Sequence, residues 1–238
     1  MFDFSDRVAI VTGAGGNLGQ AVARRFYAAR ATLVLVERDA GKLRSSFPES
    51  ADAPDRFLIL HADLTDPASV SAMVGDAVAR FGQIDIVANT VGGYRAGTAV
   101  HQTPLDTWEF MLNLNARTAF LVGQAVVPPM LERGYGKIIH VSARAGLAGT
   151  ANHAAYTASK SAVIRLTESM AAELRHNGIN VNCVLPGTID TPQNRAEMPK
   201  ADHSRWVSPE SIADVILFLA SDAARAINGA AIPVYGRS

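Results

Sequence analysis

Tyr156 and Lys160 stand four residues apart in "YTASK", one helical turn along a shared face. A free phenol has a pKa of about 10, so a tyrosine that works as acid or base near neutral pH needs assistance. A lysine ammonium one turn away gives it by favouring the phenolate. The same spacing also suits a solvated helix face, so the meaning of the pair rests on what surrounds it.

Short Val- and Ile-rich runs alternate with longer stretches of helical period. Strands are predicted over 7–12, 32–37, 56–61, 84–89, 137–142, 179–185 and 230–234, and helices over 18–29, 67–81, 104–133, 155–177 and 209–221. Asp66-Pro67 and Ser208-Pro209 each put a capping side chain before a proline at the first helical position. The expected fold is α/β, a doubly wound Rossmann-type parallel sheet of about seven strands with helices on both faces. Residues 1–238 read as one domain. Periodicity lapses for long only over 188–208, a loop that in such a sheet lies where ligands bind and is expected to be a substrate lid.

"VAIVTGAGGNLGQAVARRF" leads a strand through a glycine-rich turn into a helix. That context makes Gly13, Gly15 and Gly19 a pyrophosphate cradle, with the helix N-terminus receiving the anion. The second strand ends at Glu37, where a carboxylate can accept hydrogen bonds from an adenosine ribose diol. Arg38 follows and could instead pair with a 2′-phosphate or stack on adenine. A carboxylate beside a phosphate is repulsive, so NAD(H) is favoured over NADP(H).

Lys plus Arg and Asp plus Glu are equal at 22 each, which leaves no global field for nucleic acid or an anionic membrane; the expected partner is a small-molecule substrate. The single cysteine, Cys183, lies in an apolar run and reads as a core residue of a reducing compartment. The chain opens directly into a strand, and no apolar run reaches transmembrane length, so a cytoplasmic location is expected. Six scattered histidines lack metal-ligand spacing, and no metal is expected.

Five motifs in order resemble the short-chain dehydrogenase/reductase family. "TGAGGNLG" is similar to TGxxxGxG, with Asn17 for the middle glycine, a departure that left-handed backbone geometry tolerates. "HADLTD" supplies Asp63, "ANTVGG" stands for NNAG with Thr90 and Val91 as departures, "WEFMLNLNARTAF" supplies Asn115, and "LPGTIDT" matches PGxxxT. The resemblance implies that hydride moves between nicotinamide and a carbonyl carbon while Tyr156 exchanges the proton. It also implies that Lys160 holds the ribose hydroxyls of the nicotinamide half and that Asn115 holds a relay water. The implied cofactor site further takes in Leu18, Leu64, Asn89, Gly92, Pro186, Gly187, Ile189 and Thr191, and the substrate side Gly93, Tyr94, Ala143, Met198 and Trp206. Homotetramers or homodimers built on the two long helices are expected.

One family feature is missing. The serine thirteen residues before the tyrosine, which donates to the substrate oxygen, is here Ala143. Removing such a donor typically costs about 2.7–4 kcal/mol of transition-state stabilisation. Ser142 is adjacent, but successive strand residues point to opposite faces, so its use as a substitute requires an irregular strand end. Quinonoid dihydropteridine reductases, a branch of the family, also carry alanine here, and "DTPQNRAEMPKADHSRW" resembles their lid. Three functions are therefore weighed: such a reductase; an alcohol dehydrogenase or carbonyl reductase of the 3-oxoacyl type, using Ser142 or water; and a non-catalytic dinucleotide-binding protein, which would need Lys160 but not the phenol.

Overall fold

The computed structural model describes residues 2–237. Seven parallel strands form one sheet in the order β3-β2-β1-β4-β5-β6-β7. They are β1 Val8–Thr12, β2 Thr32–Glu37, β3 Phe57–His61, β4 Ile86–Asn89, β5 Gly136–Val141, β6 Ile179–Pro186 and β7 Ala231–Val234. The helices are α1 Asn17–Ala28, α2 Ala40–Ser46, α3 Glu49–Asp52, α4 Pro67–Phe81, α5 Leu105–Met111, α6 Thr118–Arg133, α7 Ala154–Leu174, α8 Pro192–Glu197 and α9 Pro209–Ala220.

Strand side chains alternate between two apolar layers, as parallel sheets covered on both faces require. Ala9, Val11, Leu33, Leu35, Ile139 and Val184 pack under α1 and α9 through Val22, Phe26, Ile212 and Ile216. Val8, Ile10, Val34, Val87, Ile138 and Val181 meet α4, α6 and α7 through Met73, Val122, Val126 and Leu174. The predicted caps are present. Asp66 accepts from the amides of Ala68 and Ser69, and Ser208 from that of Ser211, each with proline in the first turn.

The predicted helix over 104–133 is three pieces: α5 and α6 flank a π-helical segment, Leu112–Arg117. Thr118 Oγ1 donates to the Leu114 carbonyl at 2.8 Å beside this widened turn, and the segment carries Asn115. The short α2 and α3 lie in a stretch for which the sequence predicts no helix. Along α5 and α6, Leu105, Trp108, Phe110 and Phe120 remain exposed. No helix among the described residues is long and apolar enough to cross a membrane.

Sheet order reverses between β1 and β4, so the loops leaving their carboxyl ends diverge and open a crevice. Thr12 Oγ1 donates to Asn89 Oδ1 at 2.6 Å, and Thr90 Oγ1 to the Thr12 carbonyl at 2.6 Å, which ties the two strand ends together at its floor.

Candidate active site

After Thr12 the chain turns at Gly13, whose φ of +63° is the left-handed region that glycine enters without cost. A Cβ on Gly19 would lie 2.1 Å from the Gly13 carbonyl oxygen, so α1 can sit on the turn only with glycine there. Gly16 caps α1 without a side-chain bond, which leaves first-turn amides available to an anion. Asn17 is the first residue of α1 and has no positive φ; the left-handed tolerance expected of it is not used, because Gly13 makes the turn. Leu18 is buried beneath the loop.

Glu37 curls back over this cradle. Its Oε2 accepts from the Gly15 amide at 3.2 Å and its Oε1 from the Arg38 amide at 2.9 Å. A Cβ at Gly15 would come within 3.1 Å of Oε2, and the carboxylate would have to shift by a few tenths of an ångström to admit one. Asp63 is exposed, and accepting from the Thr65 hydroxyl and amide holds its carboxyl below its ordinary value. Leu64 is buried next to it. A left-handed glycine turn, a Gly19 that no side chain could replace, an uncapped helix end and a carboxylate at the second strand end fit a dinucleotide.

Beside the cradle lies a cluster from four segments. Lys160, 5 % exposed, donates from Nζ to the Val141 carbonyl at 3.1 Å, and burial lowers its pKa from 10.5 to about 8. Tyr156, four residues earlier, is half-buried; burial, with a smaller contribution from Tyr94, pushes its phenol up to about 12. Both values lie above 7, so at neutral pH the site holds a neutral phenol and a protonated amine. A Cβ on Gly92 would stand 2.9 Å from both Lys160 Nζ and Asn115 Oδ1, so glycine there keeps the space in which the two groups meet. Asn115, 2 % exposed, clamps the loop after β4: its Oδ1 accepts from the Gly93 amide at 2.9 Å and its Nδ2 donates to the Gly93 carbonyl at 3.1 Å. The same Nδ2 lies 2.9 Å from Ser159 Oγ, which in turn donates to the Tyr156 carbonyl at 2.8 Å.

Ser142 is not aimed at this space. Its hydroxyl is buried and donates to the Lys160 carbonyl at 2.7 Å, fixing β5 to α7. The irregular strand end that would turn it toward a substrate does not form: Ser142 continues the β5–β6 ladder through its amide to Val184. Ala143 follows in extended backbone, 7 % exposed, and the short turn Arg144–Gly146 packs against the Lys160 backbone.

On the other wall, Pro186 ends β6 and the Gly187 amide donates to the Val234 carbonyl at 3.2 Å. Ile189 bridges Val207, closing the base of the 188–208 segment, which contains α8 and a 3₁₀ turn, His203–Arg205. Thr191 Oγ1 caps α8 by accepting from the Asn194 amide at 3.1 Å, so its proton stays available to another acceptor. Met198 is 40 % exposed. Trp206 is half-buried against His203, with ring centroids 4.4 Å apart, while Gly236 lies against its backbone. Cys183 is buried on β6, and burial pushes its thiol up to about 11.

Residues 7–202 match the family described as short chain dehydrogenase. The chain belongs to the short-chain dehydrogenase family. A subunit of a hydroxy(phenyl)methylsuccinyl-CoA dehydrogenase from Thauera aromatica is 35 % identical, over 97 % of this chain and 96 % of that one. The 3-oxoacyl-acyl-carrier-protein reductase of Thermotoga maritima is 32 % identical over 97 % and 96 % respectively. Among solved structures, levodione reductase superposes with a TM-score of 0.89 at 31 % identity, covering 98 % of this chain and 97 % of that one. These relatives are oxidoreductases of the family, whose members use NAD(P) cofactors.

Two residues of the cluster escape a reading of the sequence. Ser159 lies inside "YTASK", but its contact with Asn115 joins segments far apart in the chain. His153, three residues before Tyr156, sits at the start of α7 and accepts from or donates to Tyr94 Oη at 3.0 Å. Spacing of three on a helix-entry face is the only sequence signal for it.

Proposed function

We propose that this protein interconverts a secondary alcohol and a ketone on a small organic substrate, using NAD(H), with Tyr156 exchanging the proton on oxygen. The meeting of Lys160 and Asn115 around the space kept by Gly92, with Tyr156 one helical turn before Lys160 and tied to Asn115 through Ser159, carries this reading. When bound, the nicotinamide would give or take hydride at C4. Gly13, Gly15 and Gly19 would admit the pyrophosphate, Lys160 would hold the ribose beside Tyr156, and Thr191 would present its hydroxyl from the lid base. In the direction of reduction the neutral phenol is already in the form that donates. A protonated Lys160, one helical turn on, would favour the phenolate left behind. The names of the relatives point the same way, to hydroxyl oxidation and oxo reduction.

Glu37 supports NAD(H). A 2′-phosphate would meet a carboxylate already fixed over the cradle by two amides. Replacing Glu37 by serine is expected to weaken NADH at least about tenfold and to narrow or invert the preference over NADPH, measured by fluorescence titration with both cofactors. Wild-type protein binding NADPH more tightly than NADH would contradict the assignment.

Ala143 favours a second reading, reduction of a quinonoid dihydropterin, which takes hydride and proton on an imine-like ring and does not need a hydroxyl aimed at a ketone oxygen. The segment 188–208, with Met198 and Trp206, would then close over a flat ring. A screen that sets ketones and 3-oxoacyl thioesters beside a quinonoid dihydropterin separates the two: turnover of the dihydropterin alone selects the second, of the carbonyl compounds alone the first.

Leu105, Trp108, Phe110 and Phe120, left exposed along α5 and α6, support assembly into homodimers or homotetramers. Light scattering at micromolar concentration is expected to give at least twice the chain mass of 25.2 kDa, and a monomer would refute it.

A further inference from the structure

A ketone reductase with alanine at position 143 needs its second hydrogen bond to the substrate oxygen from somewhere else. The hydroxyls around Tyr156 can be taken in turn. Ser142 donates to the Lys160 carbonyl, Ser159 to that of Tyr156, Thr157 to that of His153 and Ser161 to that of Gly146. Each is committed to the main chain. Tyr94 differs: its Oη contacts a side chain, His153 Nε2, at 3.0 Å.

Tyr94 is also held against Tyr156. The two rings meet edge to face at 81° with centroids 4.9 Å apart. On one side of Tyr94, both polar backbone atoms of Gly93 are clamped by Asn115; on the other, the Gly97 amide donates to the Asn152 carbonyl at 2.8 Å. The side chain is nevertheless 57 % exposed, so its hydroxyl is open to a ligand. His153 Nδ1 lies 2.7 Å from the Ala151 carbonyl, which can only accept, so Nδ1 carries the ring proton and Nε2 of the neutral ring is an acceptor. Tyr94 therefore donates to His153 in the free enzyme. Rotation of the hydroxyl about Cζ–Oη would free the same proton for a substrate oxygen held at Tyr156 and leave Nε2 to solvent.

We propose that Tyr94 donates the hydrogen bond to the substrate oxygen that Ala143 cannot, giving up for it the bond to His153 that it makes in the free enzyme. The proposal rests on the carbonyl–alcohol reading above. It makes Tyr94 a catalytic residue beside Tyr156 and explains why serine is dispensable at position 143 without abandoning a ketone substrate.

The test uses the full chain, NADH and 1-phenyl-1,2-propanedione as the ketone probe. Tyr94→Phe is expected to lower kcat/KM by about 10–100-fold, mainly through kcat, with the NADH dissociation constant within about twofold. Ala143→Ser should raise kcat/KM by a factor about tenfold larger in the Tyr94→Phe background than in the wild type, the non-additivity expected of two donors to one atom. A Tyr94→Phe enzyme within threefold of wild type, or an equal effect of Ala143→Ser in both backgrounds, overturns the proposal. Binding supplies an independent readout: isobutyramide, whose carbonyl oxygen accepts hydrogen bonds, should bind the enzyme–NADH complex about tenfold more weakly in Tyr94→Phe, and equal binding also overturns it. Absence of any carbonyl turnover in the wild type, by contrast, would remove the functional reading and not the contact.

Discussion

Tyr156→Phe is expected to lower turnover by roughly 10³-fold or more while dinucleotide affinity stays within about threefold. The variant keeps the ring that packs edge-on against Tyr94 and loses only the hydroxyl, so the fold and the glycine cradle are untouched. The loss should be large because Tyr156 is the group that exchanges the proton on oxygen, and Ser142, spent on the Lys160 carbonyl, does not replace it. Steady-state kinetics with fluorescence titration of NADH separate the two effects. A Tyr156→Phe protein with more than a tenth of wild-type activity would remove the phenol from the chemistry, and the dinucleotide-binding protein without catalysis would become the better description.

Lys160→Met should give the opposite signs in activity and stability. Activity should fall by about 10²-fold or more, since the ammonium beside the phenol is gone. Stability should rise. Burial lowers the folded-state pKa of Lys160 to about 8, below its ordinary 10.5, so the folded chain carries the full cost of a buried charge below pH 8. Between pH 8 and 10.5 the unfolded chain binds more protons than the folded one, and wild-type stability on this account climbs with pH across that window. Replacing the amine removes the cost and also the bond to the Val141 carbonyl, for a net gain on the order of 1–2 kcal/mol at pH 7. For a chain of this size that is a Tm increase of roughly 2–8 °C, which should shrink when measured at pH 10. A methionine variant less stable than wild type at pH 7 would show that the bond to the Val141 carbonyl outweighs the cost of burying Lys160.

The sheet was legible because its strands are buried on both faces and read as continuous apolar runs. Caps at Asp66 and Ser208 were equally plain, since a capping side chain before proline is a local signal. The π-helical segment was not. It changes the hydrogen-bond pattern without breaking the apolar pattern of 104–133, so periodicity passes through it. Helices α2 and α3 are too short to show a period, and Leu43 and Phe47 are the buried anchors between β2 and β3. At the site, strand alternation alone was enough to turn Ser142 away from the substrate side. The Tyr94–His153 contact needed the fold, because it joins the loop after β4 to the start of α7 across 59 residues of chain.

Transfer of hydride to carbon is the claim on which everything else depends, and isotope transfer tests it most directly. Wild-type protein should be incubated with NADH deuterated at nicotinamide C4, each diastereomer in turn, and 1-phenyl-1,2-propanedione, and the product analysed by mass spectrometry. One diastereomer should deliver a single deuterium to the carbinol carbon, and Tyr156→Phe should suppress it by roughly the factor seen in turnover. Cofactor that binds tightly while no deuterium reaches this ketone, the thioesters or a dihydropterin would contradict an oxidoreductase function for this chain.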